Sequence, residues 1–114
     1  MTIRRAVPNL LVHDLEAARE FYAGLLGFDV VMDEPGFMQF ASPSNPTAQI
    51  TIGSERGLGV ADVTVEVADV DARHADAVRR GLEIVYPLTD EPWGIRRFFV
   101  RAPGGQVINV AAPI

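Results

Sequence analysis

The chain has 114 residues, of which 48% are hydrophobic and 22% charged, and its formal net charge is −5. These values are typical of one globular domain and exclude a disordered chain, while the acidic balance argues against a nucleic-acid-binding protein, which needs a basic surface. The absence of cysteine excludes disulfides and thiolate sites. No apolar run approaches the ~20 residues of a membrane span, and the N-terminus lacks an export signal, so we expect a cytoplasmic protein that binds no membrane.

The first half of the chain predicts a strand over residues 7–12 and a helix over residues 15–26. Asp14 is suited to cap this helix, because its carboxylate accepts a hydrogen bond from an unpaired backbone N–H, and Gly27 can adopt the positive φ that ends a helix. Apolar residues at helical spacing predict one buried face. These residues are Leu15, Ala18, Phe21, Tyr22, Leu25 and Leu26.

The second half repeats this arrangement. Asp69 precedes a predicted helix over residues 70–80, and Gly81 ends it. Its predicted buried stripe consists of Val70, Ala75, Val78 and Leu82, which leaves His74, like His13 before the first helix, on the solvent side. Three strands follow each helix. We therefore predict an α+β fold made of two βαβββ modules, residues 1–53 and 60–114, within a single domain over residues 1–114.

Alternation along the strands assigns residues to two faces of each module. Valine and isoleucine fill the face predicted to lie under the helices, and the other face mixes apolar and polar groups, as a small-molecule site requires. Phe98 and Phe99 must point to opposite faces, and the sequence does not say which one packs under the helix. The residues predicted on the mixed face are Val7, Asn9, Leu11, Gln49, Thr51, Asp62, Thr64, Glu66, Val107 and Asn109.

Two motifs resemble those of a known family. Residues 12–22 (VHDLEAAREFY) with 25–28 (LLGF) resemble the first-helix signature of the glyoxalase/bleomycin-resistance/dioxygenase superfamily, also called vicinal oxygen chelate proteins. Residues 91–105 (EPWGIRRFFVRAPGG) resemble its C-terminal strand-and-turn signature, although Ala102 stands where members often have Asp. The resemblance implies two βαβββ modules with curled, mixed sheets around a concave cleft, completed as a homodimer.

The resemblance also implies positions for metal ligands, because the superfamily contains both metalloenzymes and metal-free drug-binding proteins. These positions fall at Val7, Asp62, Asn109, and either Gln49 or Thr51. Valine cannot coordinate a metal and amide oxygens are weak ligands, so Asp62 is the sole charged candidate. We therefore expect no metal and no cofactor.

The remaining candidates concern organic ligands. Trp93 is the single tryptophan and lies in a Pro/Gly-containing loop, where its ring would stack on a planar ligand or serve as a loop anchor. Asp62 and Glu66 are predicted on one strand face. Their carboxylates would act as a general base, anchor a cationic ligand, or pair with an arginine such as Arg97. The predicted ligand-binding residues are Trp93, Asp62, Asn109, Val7, Asn9, Gln49, Thr51, Thr64, Glu66, Arg97 and Phe99.

These features favour a metal-free protein that binds a small organic ligand, an antibiotic or a metabolite, in the manner of bleomycin-resistance proteins. One alternative is a glyoxalase- or dioxygenase-like metalloenzyme with an atypical ligand set, or an enzyme with Asp62 as its catalytic base. A third possibility is a structural or regulatory module whose cleft is filled by side chains.

Overall fold

The computed structural model describes residues 2–54 and 61–114 and divides into two compact units. The N-terminal unit comprises residues 7–60, and the C-terminal unit comprises residues 1–6 and 61–114. Each unit contributes one helical segment followed by three strands, so the predicted α+β class is confirmed. Across the residues that the structure describes, no helix is long and apolar enough to cross a membrane.

In the N-terminal unit, the strands follow the order β2-β3-β4-β1, with β1 parallel to β4 and the other neighbours antiparallel. A short α-helix continues directly into a π-helix between β1 and β2. The elements are β1 (Ile3–Leu11, whose first residues belong to the C-terminal unit), α1 (Leu15–Arg19), the π-helix (Glu20–Leu25), β2 (Asp29–Glu34), β3 (Phe37–Ala41) and β4 (Gln49–Gly53).

The helix of the N-terminal unit begins as predicted, since Asp14 accepts a hydrogen bond from the backbone N–H of Ala17 at 3.0 Å. The prediction that Phe21 is buried is wrong, because 48% of this residue is exposed. From Glu20 onward the chain forms i→i+5 hydrogen bonds, and this wider turn moves later residues off the direction expected for an α-helix. Leu25 and Leu26 are exposed for the same reason.

The inner side of this helical segment packs on the strands. Leu15, Ala18 and Tyr22 contact a core of fully buried strand residues. The Tyr22 ring lies 5.4 Å from that of Phe40, which is completely shielded from solvent. The predicted assignment of Ile50 and Ile52 to the helix side is confirmed by the same cluster.

In the C-terminal unit, the strands follow the order β5-β8-β7-β6, and the beginning of β1 lies beside β5. Strands β5 and β8 are parallel, and the β8–β7 and β7–β6 pairs are antiparallel. The elements are β5 (Val63–Val67), α2 (Val70–Arg79), β6 (Ile84–Asp90), β7 (Ile95–Arg101) and β8 (Val107–Pro113).

Helix α2 buries only part of the predicted stripe, since Val70 is buried as predicted but Leu82 is 43% exposed. Val70 and Ala77 are buried, whereas Val78 is 55% exposed. The His74 ring, predicted to face solvent, packs edge-on against Phe98 at 5.0 Å. A helix turns by about 100° per residue, so His74 and Ala77 lie near the direction of Val70, and Ala75 lies on the far side.

The two adjacent phenylalanines of β7 separate as alternation requires. Phe98 is 1% exposed and belongs to the core beneath α2. Phe99 lies on the opposite face, in a smaller cluster with Ala61 and Val107. The structure therefore answers the question that the sequence left open, and it identifies the face of the C-terminal unit that no helix of that unit covers.

Replacing the cap of α2 is expected to destabilise the protein. Asp69 accepts a hydrogen bond from the backbone N–H of Ala72 at 3.2 Å, so Asp69→Ala should lower the free energy of unfolding by about 1 kcal/mol. Asp69→Asn retains an acceptor and serves as the control. Equal stability of the alanine variant and the wild type in urea unfolding would contradict a stabilising cap.

One carboxylate on α2 forms ion pairs with several arginine side chains. Asp76 forms ion pairs with Arg79, with Arg80 at 3.2 Å and with Arg73 at 3.9 Å. The hydrogen bond from Arg80 is the main cause that holds the pKa of Asp76 below the ordinary aspartate value, and the charges of Arg79 and Arg80 add to it. The ionised form of Asp76 is therefore favoured in the folded protein.

A depressed folded-state pKa contributes stability above the unfolded-state pKa, and this stability disappears as pH falls through the folded-state value. We expect Asp76→Asn to be less stable than the wild type at pH 7. The difference should shrink as pH falls below about 3.9, the ordinary aspartate value. Urea unfolding of both proteins across acidic pH measures this, and a constant difference at every pH would refute the assignment.

Candidate functional site

The register of the C-terminal unit brings polar and aromatic side chains together on the face opposite α2. Thr64 lies beside Asn109, which lies beside Phe99, which pairs with Tyr86. A second row runs parallel to the first and has a small residue at its centre. Its members are Glu66, Ala111, Arg97 and Thr89.

Asn109 lies at the centre of the first row and is 8% exposed. Its side-chain N–H donates to the hydroxyl oxygen of Thr64 at 3.1 Å. The Asn109 Oδ1 is shielded from solvent and accepts no hydrogen bond from any residue that the structure describes. A buried carbonyl without a partner costs about 1–3 kcal/mol, and such groups in native proteins call for an explanation.

Arg97 is enclosed by three aromatic rings. Its guanidinium carbon lies 4.9 Å from the ring centroid of Phe99, 5.2 Å from that of Trp93 and 5.5 Å from that of Tyr86. A cation facing aromatic rings is attracted by their quadrupoles, most strongly where water is excluded. Arg97 is therefore positioned by these rings, although 24% of its side-chain surface remains exposed to solvent.

A buried carboxylate completes the surroundings of Arg97. The Glu91 side chain is 8% exposed, and its Oε2 lies 2.8 Å from Arg97 Nε and 2.6 Å from Nη2. Its other oxygen accepts a hydrogen bond from the Tyr86 hydroxyl at 3.1 Å. Both oxygens are thus satisfied, which makes burial of this ion pair tolerable. Glu66, for which Arg97 was a suggested partner, pairs instead with Arg5 at 3.2 Å.

Trp93 projects from the turn between β6 and β7. The Gly94 N–H donates to the Glu91 carbonyl at 3.1 Å, and Gly94 has a φ of +88°, a conformation that glycine adopts without strain. Pro92 restrains the second position of this turn. Trp93 is 62% exposed, so its ring contacts Arg97 while much of its surface remains open.

Asp62, the candidate catalytic residue, is engaged by the backbone of β8. Its carboxylate accepts a hydrogen bond from the Val107 N–H at 2.8 Å, and its own N–H donates to the Val107 carbonyl at 2.8 Å. These two bonds hold the beginning of β8 against the residue that precedes β5. Asp62 is exposed at the edge of the same face.

The other predicted site residues belong to the N-terminal unit. Val7 is 2% exposed, and Asn9 lies beside Thr51, which is 5% exposed. Gln49 accepts a hydrogen bond from the side chain of Gln39 at 2.7 Å and donates to a backbone carbonyl. Its amide is therefore held in place by neighbours within its own unit.

The acidic and imidazole side chains of the described residues are dispersed. Within residues 2–54 and 61–114, no three His, Asp or Glu side chains come together in a group that could hold a metal ion. A shallow pocket of about 190 Å³ in the C-terminal unit contains none of the predicted site residues. It is lined by Thr2, Val67, Asp69 and Arg73.

Sequence reasoning missed Tyr86, Glu91 and Arg5 as parts of this face. Tyr86 was hidden because register irregularities on both sides of it in β6 disturb the alternation that assigns faces. Glu91 lies in the C-terminal motif, next to Pro92 and Trp93, and that position was the available signal. Arg5 is 61 positions from its partner Glu66, and no local pattern reveals such a pair.

The model of the glyoxalase/bleomycin resistance protein/dioxygenase superfamily matches residues 3–110. The chain belongs to this superfamily. The resemblance of the two sequence motifs is thereby confirmed, and the match spans both units. No curated protein matches this superfamily member.

Solved structures share its fold. A glyoxalase/bleomycin resistance protein/dioxygenase superfamily member from Vibrio splendidus 12B01 is 21% identical, with a TM-score of 0.77 over 97% of this chain and 99% of that one. Methylmalonyl-CoA epimerase from Mycobacterium tuberculosis is 25% identical, with a TM-score of 0.73 over 95% and 86% of the two chains. A variant of the methylmalonyl-CoA epimerase from Streptomyces coelicolor, in complex with 2-nitronate-propionyl-CoA, is 22% identical, with a TM-score of 0.71 over 98% and 99%. The expected superfamily fold is therefore confirmed.

The unsatisfied oxygen of Asn109 leads to a stability prediction. Asn109→Leu removes a buried acceptor without a partner, so we expect the free energy of unfolding to stay the same or rise by about 1 kcal/mol. Thr64→Val removes the one hydrogen-bond partner seen for Asn109 and should lower stability instead. Urea unfolding measures both, and a large loss of stability in Asn109→Leu would show that the oxygen is satisfied in solution.

Proposed function

We propose that this superfamily member is a small-molecule-binding protein, that its ligand lies against the face of the C-terminal unit opposite α2, and that binding needs no metal. The observation that carries this proposal is Trp93, which is 62% exposed yet oriented by its contact with Arg97. An exposed tryptophan on a restrained turn offers a large, flat surface at little cost in conformational entropy. A planar ligand that stacks on this ring would bury surface that now faces water.

The composition of this face supports an organic ligand. Aromatic rings and small residues provide apolar area, and a few polar groups, chiefly Asn109 and Arg97, are held in defined directions. Small-molecule sites combine apolar walls with a small number of placed polar groups in this way. The specific form of the proposal is sequestration of an antibiotic or metabolite by a cytoplasmic homodimer, with the whole chain as one domain.

An enzyme is the second candidate, because a methylmalonyl-CoA epimerase is 25% identical to this chain with a TM-score of 0.73. Such an activity needs a group that takes a proton. The two carboxylates predicted on this face already accept hydrogen bonds, Asp62 from the Val107 N–H and Glu66 from Arg5. This engagement favours binding over proton transfer as the role of the face.

Binding by the chelator-treated protein tests the proposal. Because Trp93 is the single tryptophan, its fluorescence reports ligand stacking directly, and we expect saturable quenching by flat aromatic molecules. A ligand at one hundred times its dissociation constant should add about 2.7 kcal/mol to the free energy of unfolding. In calorimetric titrations, Trp93→Ala should weaken binding by about tenfold, as expected for a lost ring contact.

Leu25→Ala is a matched control, because Leu25 is an apolar residue 71% exposed in the N-terminal unit. It should leave affinity unchanged. A lack of stabilisation by any flat molecule would refute the proposal, as would binding that returns only after a divalent metal is added. Turnover of methylmalonyl-CoA that is lost in Asp62→Asn would establish the enzyme instead.

A further inference from the structure

Two ion pairs lie on the face opposite α2, and the Asp62 carboxylate at its edge accepts a hydrogen bond from the backbone of β8. Arg97 is held by Glu91, and Arg5 is held by Glu66. The side chains of both glutamates are less than one-fifth exposed. Each pair is neutral overall, and a charged ligand would have to compete with a partner already in place. The electrostatics of the face therefore favour a ligand without net charge.

The Asn109 Oδ1 defines the hydrogen-bonding requirement. It is a buried acceptor to which no described residue donates, while the N–H side of the same amide is used by Thr64. The oxygen is closed to water, so a donor reaches it only when adjacent side chains move. A ligand N–H that satisfies it removes a standing penalty, and this gain offsets the cost of that movement.

Arg97 supplies the complementary donor. Its Nε and Nη2 are directed at one oxygen of Glu91, and its Nη1 donates to no residue in the described part of the chain. Arg97 on β7 is the diagonal neighbour of Asn109 on β8. Asn109 pairs with Phe99, and the residue two positions further along β8, Ala111, pairs with Arg97. Diagonal neighbours of this kind are about 7–8 Å apart at their Cα atoms. The small side chain of Ala111, which is 6% exposed, lies between the two side chains.

We propose that the ligand is a flat, uncharged heterocycle with a ring N–H next to a carbonyl, that is, a lactam or cyclic imide. The N–H donates to Asn109 Oδ1, the carbonyl accepts from Arg97, and the ring stacks on Trp93. This inference rests on the proposed function and specifies the ligand class of the same site. The inference goes beyond the proposed function because it requires the ligand to donate a hydrogen bond, whereas a site that only stacks on the ligand has no such requirement.

The test compares two probes of nearly identical shape by calorimetry with the full chain. 2-Quinolone carries a ring N–H beside its carbonyl, and coumarin carries a ring oxygen at the same position. The wild type should bind 2-quinolone at least about tenfold more tightly, because a site built around a hydrogen bond rejects the analogue that lacks it. Asn109→Leu should bind both probes equally, and Leu25→Ala, an exposed position in the N-terminal unit, should keep the wild-type preference.

Each outcome decides a separate claim. Equal affinity of the wild type for both probes would overturn the donor requirement while leaving the proposed function intact. Tighter binding of quinoline-2-carboxylate than of 2-quinolone would overturn the uncharged class. Binding of no flat molecule at all would refute the proposed function itself. If Asn109→Leu fails to fold, the two-probe comparison on the wild type still decides the donor requirement.

Discussion

Each unit has one helical segment to cover its strands, and a single helix covers a single face. Alternation then assigns every strand residue either to the helix or to the opposite side. In β7 this constraint sends Phe98 beneath α2 and Phe99 to the face that carries Arg97 and Asn109. The candidate site depends on this division, because a shift of one residue in register would exchange the two sets of side chains.

The site side of β7 shows how charge is placed among aromatic rings. Arg97 and Glu91 are held in a setting where an unpaired charge would be costly, and the pair is tolerable because Glu91 accepts from both Arg97 and the Tyr86 hydroxyl. The three rings around Arg97 fix its direction further. Among these side chains, Trp93 is the most exposed to solvent, at 62%.

Among the residues of this face that the structure describes, Asn109 carries the buried polar atom that has no hydrogen-bond partner. Native proteins pair almost all their buried polar groups, and exceptions concentrate where a ligand or a reaction makes use of them. The resemblance of the sequence motifs to those of the superfamily predicts a metal-ligand position of its enzymes at Asn109. In this chain it carries a neutral amide, whose chemistry suits hydrogen bonding to an organic ligand better than coordination of a metal.

The sequence by itself determined the superfamily, the order of elements in both halves, both helix caps and the face of most strand residues, because these follow from local patterns with fixed periods. The sequence prediction of buried helix residues failed at Phe21, because a π-helix replaces the expected α-helix there. It also failed at His74, which lies one helical turn after Val70 and packs against Phe98. Only the tertiary structure decided that Glu66 pairs with Arg5 and that Arg97 pairs with Glu91. Long charged side chains reach several alternative partners, and the choice among them is made by the strands that folding brings side by side.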